Sequence, residues 1–233
     1  YVIQEDRINF DKNKEETNLQ LSQPQQKAFD EIENEFLIKE VCLLHGITAS
    51  GKTEIYVKQI EKYLSQGKQV LYLLPEIALT TQLVSRLTKY FGNKVAVFHS
   101  KYSNNERVEV WQNVLNNSET AQIVIGARSA LFLPFSNLGF IIIDEEHEQT
   151  FKQQDPAPRY HARDAAIVLA SYFRAKIILG SATPSIESYY NANSGKYGLV
   201  SLHQRFGNFQ LPEIELVDLK DSYFRKRMNG HFS

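Results

Sequence analysis

Short runs that are apolar from end to end, separated by stretches of helical periodicity, constrain this chain more than any other feature. They read "VCLLH" (41–45), "QVLYLL" (69–74), "KVAVFH" (94–99), "AQIVIG" (121–126), "LGFIIID" (138–144) and "AKIILG" (175–180). Between most of them lie helical stretches at 54–65, 78–90, 104–116 and 160–174. A strand that is apolar on both faces has no side to turn to water, so it belongs inside a covered parallel sheet. Repeated strand-then-helix order with right-handed crossovers places helices on both sides of that sheet. The expected fold class is α/β, a three-layer sandwich with a mainly parallel sheet.

Ahead of the first run, "SQPQQKAFDEIENEF" (22–36) spaces Ala28, Phe29, Ile32 and Phe36 as one helical face, with Ser22 as N-cap. Residues 1–18 are polar and read as a linker or the remnant of a preceding domain, and 19–195 as the α/β lobe. In 196–233 the pattern loosens into "YGLVSLH" and "IELVDL", either an added edge hairpin or the way out to another domain. The chain starts at Tyr1 and ends in the polar "YFRKRMNGHFS", which reads as an excised piece of a longer protein.

Some function classes are disfavoured early. No apolar run approaches the ~18 residues of a membrane span, and the charged first residues lack the apolar core of a secretory signal. The single cysteine, Cys42, sits in an apolar run and reads as a small buried hydrophobe; one cysteine builds neither an intrachain disulfide nor a cysteine-based zinc cage. A cytoplasmic location is the expectation. Net charge is −1, so there is no bulk basic signal for nucleic acid, although a local groove can be basic on a neutral protein.

Chemistry enters with "HGITASGKTEIY" (45–56). Gly46, Gly51, Lys52 and Thr53 fit G-x-x-x-x-G-K-[ST], between a buried strand and a helix, which is the context the phosphate-loop motif requires. Backbone N–H groups of Gly46, Ile47, Thr48, Ala49, Ser50, Gly51, Lys52 and Thr53 would line one concavity, aided by the positive end of the helix. Lys52 would reach the β- and γ-phosphates, and Thr53 would place its hydroxyl on Mg²⁺. Ala49 stands where related loops often carry glycine, which narrows the backbone conformations available there.

A second acidic element is needed, and "FIIIDEEHE" supplies it at the end of a buried strand, where open α/β sheets bind ligands. Asp144 would hold Mg²⁺ through water and Glu145 would orient the hydrolytic water. For His147 a coupling hydrogen bond is the better reading than metal ligation, because Mg²⁺ prefers oxygen.

The surrounding text names the kind of machine. D-E-x-H after a strand, followed by "GSATPS" (180–185), resembles motifs II and III of superfamily 2 helicases, and "LSQPQQKAF" resembles their glutamine motif. That resemblance gives Gln25 the adenine edge, with its neighbour Gln26 as the alternative. "LLPEIALTTQLVSRL" (73–87), the segment 126–154 and "PRYHARDAAIVLA" (158–170) are similar to the PriA family of primosomal replication-restart helicases, over about 19–218. Departures are Ala49, Ala127 in place of threonine and Glu148 in place of aspartate.

The resemblance implies a RecA-like first lobe of an ATP- and Mg²⁺-dependent 3′-to-5′ DNA helicase that loads replication proteins at stalled forks. It implies a longer parent with an N-terminal DNA-binding region, a second lobe and a cysteine-rich insertion, so zinc is expected in the parent only. Expected partners are forks, single-stranded DNA, replication-restart and primosome proteins and single-stranded-DNA-binding protein. The expected protein is a monomer at the bacterial nucleoid, with no membrane partner. "EQTFKQQDPAPRYHARD" (148–164) would be the family's aromatic-rich loop, with Phe151, Lys152, Arg159, Tyr160, His161 and Arg163 mixing base stacking with phosphate contact. Tyr160 and His161 could equally begin a core helix. Arg128 and Ser129 would contact a DNA phosphate, unless Arg128 serves a structural salt bridge. Arg225, Lys226 and Arg227 read as a solvated connector.

The competing readings are a small-molecule kinase or a transport ATPase; neither acceptor and lid elements nor a transporter signature is found. For the piece alone, a nucleotide- or DNA-binding module without turnover is the non-enzyme reading.

Overall fold

The computed structural model describes residues 19–75, 81–99 and 102–204. Seven parallel strands form one sheet: β1 (Val41–Gly46), β2 (Gln69–Leu73), β3 (Val95–Phe98), β4 (Ile123–Gly126), β5 (Leu138–Asp144), β8 (Lys176–Ser181) and β9 (Gly198–Leu202). Their spatial order is β3-β4-β2-β5-β8-β1-β9. The remaining strands, β6 (Lys152–Gln153) and β7 (Tyr160–His161), form a small antiparallel ribbon.

Alternate residues of each strand serve opposite cores, which is why whole runs are apolar. On one face Cys42, Leu44, Val70, Tyr72, Ile142 and Ile178 pack under α1 (Gln23–Ile38), α2 (Lys52–Ser65) and α3 (Thr81–Phe91). On the other, Leu43, Leu71, Ile141, Ile143, Ile177 and Leu179 pack against α4 (Asn104–Leu115), α5 (Ala162–Phe173) and α6 (Ile186–Asn193). Ile141 and Ile142 are both fully buried, on opposite faces; each such side chain contributes roughly 1.5–3 kcal/mol by leaving water. Ala162, Ala166 and Ala170 give α5 a small-residue stripe that packs into this second core. Burial pushes the Cys42 thiol up to about 12, so it behaves as the buried hydrophobe expected.

The three-layer expectation is borne out, with one correction at its end. Within the described residues "YGLVSLH" joins the sheet itself: β9 pairs in parallel with β1, Cys42 opposite Gly198 through Gly46 opposite Leu202. The lobe therefore runs past the boundary expected at 195, because β1 would otherwise be an unpaired edge and β9 covers it. A second difference lies at Tyr160, where the expected helix starts two residues later. His161 is its N-cap, with Nδ1 accepting from the Arg163 N–H at 3.3 Å. The linker 1–18, the "IELVDL" run and Arg225, Lys226 and Arg227 lie outside the described residues.

Candidate nucleotide site and nucleic-acid face

Strand order assembles the site. β8 bonds to β5 on one side and β1 on the other, so three loops leave neighbouring strand ends on the same sheet edge. After β1 comes the loop Gly46–Thr53, after β5 the acidic turn 144–147, and after β8 the "SAT" turn 181–183.

The loop turns through two left-handed residues. Gly51 (φ 88°) and Ala49 (φ 61°) are left-handed, the alanine at a cost of about 1–2 kcal/mol. A Cβ on Gly51 would lie 2.0 Å from Gln25 Nε2, so glycine is required there on two counts. Lys52 Nζ donates to the Gly46 carbonyl at 2.7 Å, and the Ser50 hydroxyl is buried without a partner. The first turn of α2 adds N–H groups that have no intrahelical acceptor. The N–H groups of Ile47 and Ser50 are spent on the Leu202 and Ile47 carbonyls at 3.2 and 3.1 Å, so the donors left to match a phosphate chain include the Ser50 hydroxyl and those of the helix start, where Thr53 sits.

Gln25, not Gln26, reaches this loop. It is buried, with Oε1 accepting from the Ser22 N–H at 2.8 Å and Nε2 donating to the Gly51 carbonyl at 3.3 Å. Gln26 bonds Asp30 on the solvent side instead.

Across the edge, Asp144 accepts from Tyr56 Oη at 3.1 Å on Oδ1 and from Tyr72 Oη at 3.2 Å on Oδ2. Burial raises its pKa above the ordinary carboxylate value and the Glu145 charge adds to that; Lys52 and the two phenols pull the other way. Glu145 has φ 52°, a left-handed turn that a non-glycine residue adopts at a cost. Among the described residues no cluster of three or more His, Cys, Asp or Glu could hold a metal. One carboxylate plus one hydroxyl beside a phosphate cradle is the donor set that suits Mg²⁺, which keeps several waters and borrows phosphate oxygens.

His147 lies between the acidic turn and the loop after β8. Its Nδ1 lies 2.8 Å from Ser181 Oγ and 3.6 Å from Glu145 Oε2, and its Nε2 lies 3.4 Å from Thr183 Oγ1. The acidic turn is thereby tied to the loop after β8.

Glu146, missed at the sequence level, and Arg163, given another role there, lock the same region. Glu146 is fully buried and accepts from Arg163 Nη1 (3.1 Å), Ser185 N–H (2.7 Å), Ser185 Oγ (3.0 Å) and Ser188 Oγ (2.8 Å). Arg163 is therefore corrected from a phosphate contact to a buried ion pair. The only hint in the sequence was the third carboxylate in "DEEH".

The aromatic loop needs a further correction. Phe151 is 1% exposed and belongs to the core against α5, so it cannot stack on a base. The exposed aromatic beside the ribbon is Phe132, 64% exposed, whose ring meets Tyr160 edge-on at 5.1 Å. It escaped notice because "ALFLPF" reads as core. Tyr160 is half-buried in β7, and Lys152 and Arg159 are exposed. Among the described residues Arg128 makes no salt bridge; its Nη1 donates to the carbonyls of Thr150 (3.1 Å) and Lys152 (3.4 Å), clasping the ribbon to the turn after β4. Ser129 is half-buried next to it. Arg128, Phe132, Lys152, Arg159 and Tyr160 thus surround one ribbon.

Comparison with known proteins follows the same lines. A DEAD/DEAH box helicase family model matches residues 22–192. The chain is similar to the replication restart protein PriA of Bacillus subtilis, 47% identical over 205 residues, 87% of this chain and 25% of that protein. It is also similar to PriA of Haemophilus influenzae, 50% identical over 181 residues, 78% of this chain and 24% of that one. The chain thus spans about a quarter of the length of these relatives, and the resemblance to the PriA family is borne out. Among solved structures, RecG bound to a three-way DNA junction aligns with TM-score 0.60 at 21% identity, over 83% of this chain and 25% of that one. A hypothetical ATP-dependent RNA helicase from Sulfolobus tokodaii aligns with TM-score 0.54 at 23% identity, over 79% and 53%. These two likenesses show the fold.

Proposed function

Since the chain belongs to the DEAD/DEAH box helicase family, we propose that it is the first motor lobe of an ATP-dependent 3′-to-5′ DNA helicase that restarts stalled forks and loads the primosome. The replication-restart assignment draws on relatives that carry that name. The observation that carries the motor reading is the contact of His147 with both Ser181 and Thr183, which joins the hydrolytic turn to a neighbouring loop. A kinase has no use for that relay.

In this reading the γ-phosphate docks on the loop N–H groups, and Lys52 exchanges the Gly46 carbonyl for β- and γ-phosphate oxygens. Thr53, and Asp144 through water, would hold Mg²⁺, which when bound would supply neutralisation of the developing phosphate charge. Glu145 orients water and accepts its proton as the oxygen bonds to γ-phosphorus. The bond to the bridging oxygen breaks, leaving ADP and phosphate. Gln25 leaves the Gly51 carbonyl to read the adenine edge, so base binding loosens the loop. Single-stranded DNA lies along Arg128, Ser129, Lys152, Arg159 and Tyr160, with Phe132 in the stacking role first given to Phe151. An arginine from a second lobe completes the transition-state contacts, so the lobe alone turns over slowly.

The test is ATP turnover by the full-length protein with and without forked DNA. Strong stimulation that Lys52→Ala abolishes is the expected result. Turnover indifferent to DNA, or a near-normal rate in Lys52→Ala, refutes the assignment.

A further inference from the structure

We propose that Tyr56 and Tyr72 form a buried hydroxyl clamp that positions the Asp144 carboxylate for its magnesium. The inference rests on the reading of Asp144 as the magnesium carboxylate. Neither tyrosine belongs to the loop or to the acidic turn. Tyr56 lies one helical turn beyond Thr53 on α2, and Tyr72 lies in β2, opposite Ile142 of β5.

Both side chains are fully buried, and a buried phenol needs a partner for its hydroxyl. Each has the same partner, one oxygen apiece: Tyr56 Oη at 3.1 Å from Oδ1, Tyr72 Oη at 3.2 Å from Oδ2. The rotation of a carboxylate about its last bond is broad and soft. Donors on both oxygens, with the Glu145 N–H adding a second to Oδ1 at 3.2 Å, remove that freedom and fix the plane in which the lone pairs lie. The rings themselves cross edge-on, 5.7 Å between centroids at 81°, so each holds the other in place.

Gly180 gives an independent sign that the Tyr56 hydroxyl has a reserved position. A Cβ there would lie 1.7 Å from Tyr56 Oη and 3.3 Å from Asp144 Oδ1. The glycine of the "GSATPS" stretch leaves room for this phenol. The ring carbon bearing that hydroxyl would lie 3.0 Å from the same Cβ, so the hydroxyl makes the severe overlap and the ring only a tight contact.

Tyr56 and Tyr72 are positioning residues, so the hydroxyls, not the rings, must carry the effect. The experiment uses the full-length protein with ADP bound and Mn²⁺ as probe, its affinity read by electron paramagnetic resonance. Tyr56→Phe, Tyr72→Phe and Asp144→Asn are compared with wild type, and ADP affinity is measured separately in EDTA. Each Phe variant is expected to weaken Mn²⁺ binding about tenfold to a hundredfold, as for a lost hydrogen bond to a charged group. Metal-free ADP affinity should stay at the wild-type value and the thermal midpoint should fall by no more than one buried hydrogen bond accounts for, whereas a packing defect would lower both further. Unchanged Mn²⁺ affinity in both Phe variants, with Asp144→Asn weakened, overturns the clamp alone. Unchanged affinity in Asp144→Asn overturns the magnesium reading of Asp144 and the clamp with it.

Discussion

Arg163 Nη1 donates to Glu146 Oε2 at 3.1 Å, and neither group has water as an alternative: Glu146 is fully buried and Arg163 nearly so. The pair joins the turn after β5 to α5, and the serines around it join both to α6. Removing one partner strands a buried charge, at a cost of roughly 3–5 kcal/mol. Arg163→Met should therefore lower denaturant stability by about that amount, while Glu146→Gln, which keeps acceptors for the serines, should cost less. Urea unfolding of the lobe checks the ranking.

Phe151 and Phe132 should exchange the roles that their sequence contexts suggest. Phe151→Ala empties a core position and should cost about 3–5 kcal/mol of stability. Phe132→Ala should leave the melting curve nearly unchanged and weaken single-stranded DNA binding by the full-length protein, in the range of about 1–3 kcal/mol per stacked base. Fluorescence anisotropy with a labelled oligonucleotide, beside thermal melts, separates the two.

Lys152 and Arg159 are exposed cations on either side of the ribbon turn. Alanine at either should reduce DNA affinity for all sequences alike and flatten its salt dependence, by a slope of about 0.7 per lost single-strand phosphate contact. Binding isotherms across a series of salt concentrations give that slope directly. An unchanged slope in the double variant would remove the ribbon from the DNA path.

His161 makes the start of α5 acid-sensitive. Burial, aided by the Arg163 charge, lowers its pKa below the ordinary 6.5, so the folded protein prefers the neutral ring. Its stabilising contribution is complete above pH 6.5 and is lost as pH falls through the lower folded value. Protonation also ends the acceptance of the Arg163 N–H by Nδ1. His161→Asn, which keeps a capping acceptor and cannot titrate, should flatten stability against pH in that window, measured by urea midpoints from about pH 6.5 downward.

The lobe by itself should bind Mg²⁺-ATP weakly and turn it over without DNA stimulation, because an arginine finger supplied in trans is worth roughly 10³–10⁵ in rate. Single-turnover assays on this chain and on a version extended through a second lobe check this. Equal DNA-stimulated rates would mean that residues 1–233 already hold a whole motor.

The sequence by itself determined what local periodicity and short motifs can carry. Runs such as "FIIID" are apolar at every position because both faces of β5 are covered, so the sheet and its layers were legible before any contact was known. The phosphate loop and the acidic turn were legible because each packs its chemistry into a few adjacent residues. Tertiary structure decided the rest, because which partner a side chain meets is a long-range property. β9 could be read as strand but not as the parallel neighbour of β1, since edge pairing is set by the whole sheet. Phe151 among lysine and glutamines has the composition of a DNA loop, yet the 3-10 turn at Gln149–Phe151 aims its ring into the core. The hydroxyls of Tyr56 and Tyr72 meet Asp144 across 88 and 72 residues of chain. Only the strand order, which sets β2 and β8 on either side of β5, brings Asp144 between Tyr72 and the room that Gly180 leaves for Tyr56.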